Sequence, residues 1–210
     1  MNAPDITALN TSTLLVFGAL AILSLSAVAV SFYKIFQFAR IGVGKGRQAE
    51  DILDDWLGGR ADEAMRDAAL RRSVLSRVLQ SVFSGRQARP NDPDYAEELG
   101  RQAALVELGV MTGGMRILET VVQAAPILGL LGTVIGMIDA FSTLAGADGA
   151  VDPTQLAGGI WVALTTTAAG LAIALVAYFM ATWLEGRIEG ERQSIETMIS
   201  AAIHGRVDSR

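Results

Sequence analysis

The sequence predicts an all-α membrane protein with three transmembrane helices, two of them long and extending beyond the bilayer. Three observations carry this. Uncharged runs cover Ile6 to Tyr33, Thr120 to Ile138 and Pro153 to Leu184, each of the length, about 20 apolar residues, that a spanning helix needs. The 210 residues are 51% hydrophobic with only 19% charged, and that combination with three such runs favours a bundle of spans over buried soluble helices. All 17 Lys and Arg lie between Lys34 and Arg116 or between Arg187 and Arg210. Basic segments stay on the cytoplasmic side, so three spans place the N-terminus outside, a large segment inside, a short loop outside and the tail inside. The tail before the first span carries only Asp5, and the loop between spans two and three only Asp139, Asp148 and Asp152.

In chain order, residues 1–10 form a short outside tail and 11–36 the first span, with Thr11 or Ser12 as its cap. Lys34 and Arg40 follow the apolar run and no base precedes it, so it is expected to be an uncleaved span rather than a signal peptide. Its Ala, Ser, Val and Leu content suits a peripheral helix. Phe32, Tyr33 and Phe36 form an interfacial belt beside a snorkelling Lys34.

Residues 37–119 form a cytoplasmic helical segment. The run Ile41-Gly-Val-Gly-Lys-Gly46 has the wrong spacing for a phosphate loop and follows no strand, so it is a hinge. Gln48 to Leu57 is amphipathic, with Ile52, Leu53, Trp56 and Leu57 on one side, and Gly58-Gly59 ends it. Ala61 to Phe83 is expected as one helix with Ala64, Met65, Ala68, Ala69, Val74, Leu75, Val78, Leu79 and Val82 apolar and the Arg71-Arg72 pair on a solvated face. Gly85 to Pro93 is expected as a loop, with Asp92 and Asp94 starting the next helix. From Tyr95 no strong stop occurs before Gly146, predicting a rod of about 50 residues and about 75 Å that includes the second span, 120–145.

That second span contains Pro126-Ile-Leu-Gly-Leu-Leu-Gly-Thr-Val-Ile-Gly-Met-Ile-Asp139. Gly129, Gly132 and Gly136 cost helix stability in lipid but let another backbone approach closely, so this helix faces protein. Gly170 adds a further small residue to the third span. Pro126 cannot donate to the carbonyl of Val122, which makes it a hinge or a strained packing point. After an outside loop at 146–153, the third span runs over 154–184 with Pro153 at its start. It continues into a cytoplasmic tail, 185–210, with Leu184, Ile188, Ile195, Met198, Ile199 and Ala202 as an apolar stripe.

The chemistry-bearing residues are few. Cysteine is absent and His204 is the sole histidine, which leaves no catalytic triad or His-based metal site within the spans. The chain is not expected to be an enzyme, to hold a cofactor or to bind nucleic acid. The informative polar groups inside the spans are Thr133 and Thr165-Thr-Thr167. Each single threonine can simply bond the preceding turn. Three in a row nonetheless point around most of the helix, so with Gly132, Gly136, Ala163 and Gly170 they offer a narrow, mildly polar surface. No carboxylate lies at the centre of any span. A proton path through this protein therefore takes its carboxylate from another chain.

Ala125-Pro-Ile-Leu-Gly-Leu-Leu-Gly-Thr-Val-Ile-Gly-Met-Ile-Asp-Ala-Phe141 and Gly159-Ile-Trp-Val-Ala-Leu-Thr-Thr-Thr-Ala-Ala-Gly-Leu171 resemble the second- and third-span signatures of the ExbB/TolQ/MotA proton-channel family. The three-span topology is that of the ExbB and TolQ branch; MotA-like stators have four. The resemblance implies a homopentameric ring in the inner membrane of a Gram-negative bacterium, with a periplasmic N-terminus and a cytoplasmic C-terminus. The ring holds helices of an ExbD- or TolR-like single-span partner, whose aspartate carries the coupling proton. Proton flow energises a TonB- or TolA-like protein for outer-membrane transport or envelope maintenance. By position, Thr133 and Thr167 match the family's channel threonines and Pro126 its proline; Thr166 joins them as a candidate lining residue. Two departures stand out: Val162 occupies a position where many members have glutamate, and the proline often found after Leu171 is absent. A non-conducting membrane scaffold is the alternative that the uncharged spans permit.

Overall fold

In the computed structural model, residues 11–71, 73–145 and 153–206 are described, and they are helical with no strand. Seven helices follow in order: α1 Thr11–Ile41, α2 Gly46–Leu57, α3 Ala61–Leu70, α4 Val74–Ala88, α5 Pro93–Thr112, α6 Met115–Ala145 and α7 Pro153–His204. Three helical stretches are long and apolar enough to cross a membrane. Asp5, Arg72, Asp148, Asp152 and the loop around 146–152 lie outside the described residues. The chain divides into two compact units, one of residues 1–32 and 114–182, the other of 33–113 and 183–210.

The second unit is built on the amphipathic helices. α2 buries Ala49, Ile52 and Leu53 as its periodicity predicts, whereas Leu57 remains 41% exposed. Trp56 stacks flat on Phe83, centroids 4.1 Å apart, and its indole N–H donates to the carbonyl of Ala202 at 3.2 Å. α4 buries Val74, Leu75, Val78, Leu79, Val82 and Phe83. α7 contributes Leu184, Ile188, Ile195, Met198, Ile199 and Ala202, the stripe expected from sequence. The Arg77 guanidinium makes two 2.5 Å bonds to the Glu107 carboxylate, tying α4 to α5 in a bidentate geometry.

Several boundaries differ from the sequence expectation, each for a local reason. The single helix expected over Ala61 to Phe83 is two helices. Arg71 is extended, and the Ser73 hydroxyl accepts the N–H of Ser76 at 3.2 Å as a cap for α4. Of the expected apolar set Ala69 is exposed and Met65 half-exposed. Arg71 is held by Asp67 at 3.0 Å rather than being purely solvated. Replacing Ser73 by Ala is expected to lower stability by about 1 kcal/mol, measured as a shift in the thermal unfolding midpoint; no shift would mean that the cap contributes nothing.

The expected loop from Gly85 is helical as far as Ala88. Gly85 serves close packing there, since a Cβ would lie 2.7 Å from Ala96 Cα. Asp92 does start α5, its side chain accepting the Tyr95 N–H at 3.1 Å. The uninterrupted rod from Tyr95 is not observed: the helix stops at Gly113-Gly114. Gly114 has φ +82°, a conformation that glycine adopts without steric cost. α1 already includes Thr11 and Ser12, so neither is the residue preceding it.

Lys34 does not snorkel. Its side chain is fully buried, and its ammonium donates to the carbonyls of Met111 at 2.9 Å and Val110 at 3.4 Å and to Gln37 Oε1 at 2.8 Å. These are the last carbonyls of α5, which lack helical partners and carry the negative end of the helix dipole. The Phe38 ring lies 5.7 Å from the ammonium. Three oxygen acceptors within reach offset the burial of the cation.

Candidate functional site

In the first unit, α6 and α7 meet along a seam of residues with almost no side chain. A Cβ on Gly129 would lie 2.9 Å from the Thr166 carbonyl oxygen; on Gly132, 2.6 Å from Thr166 Oγ1 and 3.0 Å from Val16; on Gly136, 2.9 Å from Ala163 Cβ. A Cβ on Gly170 would overlap the carbonyl oxygen of Ala125. These four glycines are where the backbones approach, as their spacing predicts. Gly159 belongs to the same seam, its place for a Cβ being 2.7 Å from Ala140. It stands in the quoted third-span motif and has the same small-residue signature. α6 runs through Pro126, which is half-buried, without interruption.

The threonines sit on this seam and share two backbone acceptors. Thr166 Oγ1 reaches the carbonyls of Ala163 at 2.6 Å and Gly129 at 3.2 Å. Thr167 Oγ1 reaches Gly129 O at 3.0 Å, and Thr133 Oγ1 reaches Ala163 O at 3.1 Å and Gly129 O at 3.3 Å. The hydroxyls of Thr133 and Thr167 are also in hydrogen-bonding contact with each other. Thr165 is exposed and bonds back to Trp161 at 2.8 Å, as a lone threonine on a membrane helix commonly does.

The structure separates the candidate residues into two groups. Thr133 and Thr167 are brought together and remain half-exposed. Thr166 has no exposed surface and packs with the glycines, because its side chain fills the space that the absent Cβ of Gly132 leaves. It does not line an accessible path in this subunit. Each hydroxyl carries one donor and two acceptor lone pairs, so the Thr133–Thr167 pair retains acceptor capacity toward a donor arriving from its open side. The surroundings are neutral, since α6 from Thr120 to Ile138 and α7 from Pro153 to Leu184 contain no ionisable carboxylate or base. Val162, half-buried, adds none. Among the described residues no cluster of three or more His, Asp or Glu could hold a metal ion.

Comparison with known proteins agrees with this arrangement. Residues 67–197 match the model of the MotA/TolQ/ExbB proton channel family, and both quoted motifs fall inside that range. The chain is 36% identical over 139 residues to a putative biopolymer transport protein ExbB homolog of Methanothermobacter thermautotrophicus, covering 66% of this chain and 47% of that protein. It is 33% identical over 162 residues to a putative ExbB-like protein of Synechocystis, covering 75% and 62%. With the biopolymer transport protein exbB1 of Vibrio cholerae it shares 30% identity over 155 residues, covering 74% and 67%. The chain thus spans about half to two thirds of the length of these relatives. With the family match extending over more than half of its residues and both span motifs inside it, this membrane protein belongs to the MotA/TolQ/ExbB proton channel family.

Proposed function

We propose that the chain is a motor subunit of the inner membrane of a Gram-negative bacterium, driven by protons and working in ExbB-like transport. Five copies form a ring around helices of an ExbD- or TolR-like single-span partner. The partner's aspartate carries the proton, and the resulting motion energises a TonB- or TolA-like protein for outer-membrane transport or envelope maintenance. The N-terminus is periplasmic and the C-terminus cytoplasmic. The proton is the coupling ion, no cofactor takes part, and the chain is not an enzyme.

The observation that carries this reading is the half-exposed Thr133–Thr167 hydroxyl pair in otherwise uncharged spans. A neutral hydroxyl pair accepts from a protonated carboxyl and, by rotating, donates to a carboxylate. It therefore serves a carboxylate in both protonation states without holding a charge in lipid. The names of the relatives in the archaeon, the cyanobacterium and Vibrio cholerae support a transport role.

The test has two steps. Native mass spectrometry of the detergent-purified chain, alone and with the partner, is expected to give a pentamer that gains fewer partner copies than ring subunits. A monomer that ignores the partner would remove the ring. Proton flux in proteoliposomes holding both chains is then expected to fall about tenfold in Thr167→Val or Thr133→Val, the effect of losing a hydrogen bond worth about 1.4 kcal/mol. It should vanish when the partner's aspartate becomes asparagine. Full flux in both threonine variants would exclude the hydroxyl pair from the path, and no flux in any form would favour a scaffold.

A further inference from the structure

The connection between α1 and α2 lies on α7 within the second unit. Gly44, at φ +82°, donates its backbone N–H to Glu191 Oε2 at 2.8 Å. A Cβ there would be 2.9 Å from the Arg187 guanidinium, which donates to the Val43 carbonyl at 3.4 Å. Gly42, at φ +72°, packs on Ser73 in the same way. Gly42 and Gly44 are thus occupied in seating this connection.

Glu191 is only 3% exposed, and its other oxygen, Oε1, is buried without a hydrogen-bond partner. Buried carboxylates ordinarily satisfy both oxygens, because a dehydrated charge with an unfilled acceptor is costly. Arg187, one turn earlier on α7, is the charged group acting on Glu191. The connection contributes Lys45, which is exposed, and the residue packed on Gly42, Ser73 just before α4, is neutral. A neutral acid removes most of the cost at Oε1 and leaves Oε2 as acceptor for Gly44.

We infer that Glu191 is a proton-operated latch for residues 42–45: docking buries its carboxyl and strengthens its hold on a proton, and undocking exposes the carboxyl to bulk water and weakens that hold. Burial pushes the carboxyl above the usual glutamate range, outweighing the Gly44 N–H and Arg187, which pull it down. The sign follows by linkage. Docking is fully supported below the ordinary glutamate range and weakens as pH rises through the raised value, because the docked state binds the extra proton.

Hydrogen exchange of the full chain in nanodiscs tests this at peptides covering residues 41–46, after correction for the intrinsic pH dependence of exchange. Wild-type protection is expected to fall with rising pH, by up to about tenfold per pH unit for one linked proton. Glu191→Gln keeps an acceptor for Gly44 without a charge, so its protection should stay high and independent of pH. In Arg187→Gln the fall should move to higher pH, and this variant with the wild type carries the test if the glutamine variant does not fold. Flat wild-type protection, an equal slope in Glu191→Gln, or an unmoved fall in Arg187→Gln would each overturn the latch.

Discussion

Gly170→Ala is expected to be the most damaging single-methyl change in the membrane-spanning part of the protein. The added carbon falls on the carbonyl oxygen of Ala125, a backbone atom that cannot rotate away. Accommodation requires α6 and α7 to separate, and separation loosens the hydrogen bonds that Thr166 and Thr167 make to Gly129. Overpacking of this kind costs about 1–3 kcal/mol, and more when backbone must move. For a chain of this length, each 1 kcal/mol lowers the thermal midpoint by about 2–4 °C. Gly129→Ala should behave similarly, since its methyl would meet the Thr166 carbonyl oxygen at 2.9 Å. Gly18→Ala is the control: nothing lies within 4 Å of its Cβ position, so the change should be neutral or slightly stabilising through helix propensity. Equal midpoints for all three variants in detergent would show that the seam is not where the two helices are held.

Lys34→Met is expected to have the second largest effect, although it exchanges a charged residue for an apolar one of similar length beside the membrane. The substitution leaves the buried carbonyl of Met111 without its donor, in a place where Lys34 itself has no exposed surface. Leaving buried acceptors unsatisfied costs about 1–3 kcal/mol. Gln37→Met should cost clearly less, because the Lys34 ammonium then loses one acceptor, Gln37 Oε1 at 2.8 Å, but keeps the carbonyls of Met111 and Val110, and the 3.5 Å contact of Gln37 with Val110 is exposed. The local readout is amide exchange at residues 109–115, which should rise in Lys34→Met as the end of α5 loses its cap. Unchanged exchange there, or a variant more stable than wild type, would show that the ammonium is tolerated rather than used.

Lys34 and Glu191 each left a mark in the sequence that is visible only once the helix faces are known. Lys34 continues the buried face of α1 through Ala27 and Ser31 to Phe38. Glu191 lies on the α7 stripe between Ile188 and Ile195. A charged residue at a core position of a helix has to find partners inside, so the register itself points to both. Snorkelling is the default expectation for a lysine at the end of a span. What redirects Lys34 is the end of α5, which is 76 residues away in sequence.

By itself, the sequence determined the features that depend on near neighbours along the chain. Charge-free runs fixed the membrane-crossing stretches, and the α7 stripe and the α2 face followed from helical periodicity. The glycine spacing identified the seam, and the two span motifs identified the family. The tertiary structure decided what depends on distant partners. It turned Lys34 onto the end of α5 and set Glu191 against Gly44. It sealed Thr166 against Gly132 while leaving Thr133 and Thr167 half-exposed, although Thr165, Thr166 and Thr167 are the same residue in succession. Successive helix positions are rotated by about 100°, so identical side chains meet an open surface, a neighbouring helix or a shared hydroxyl pair according to packing alone.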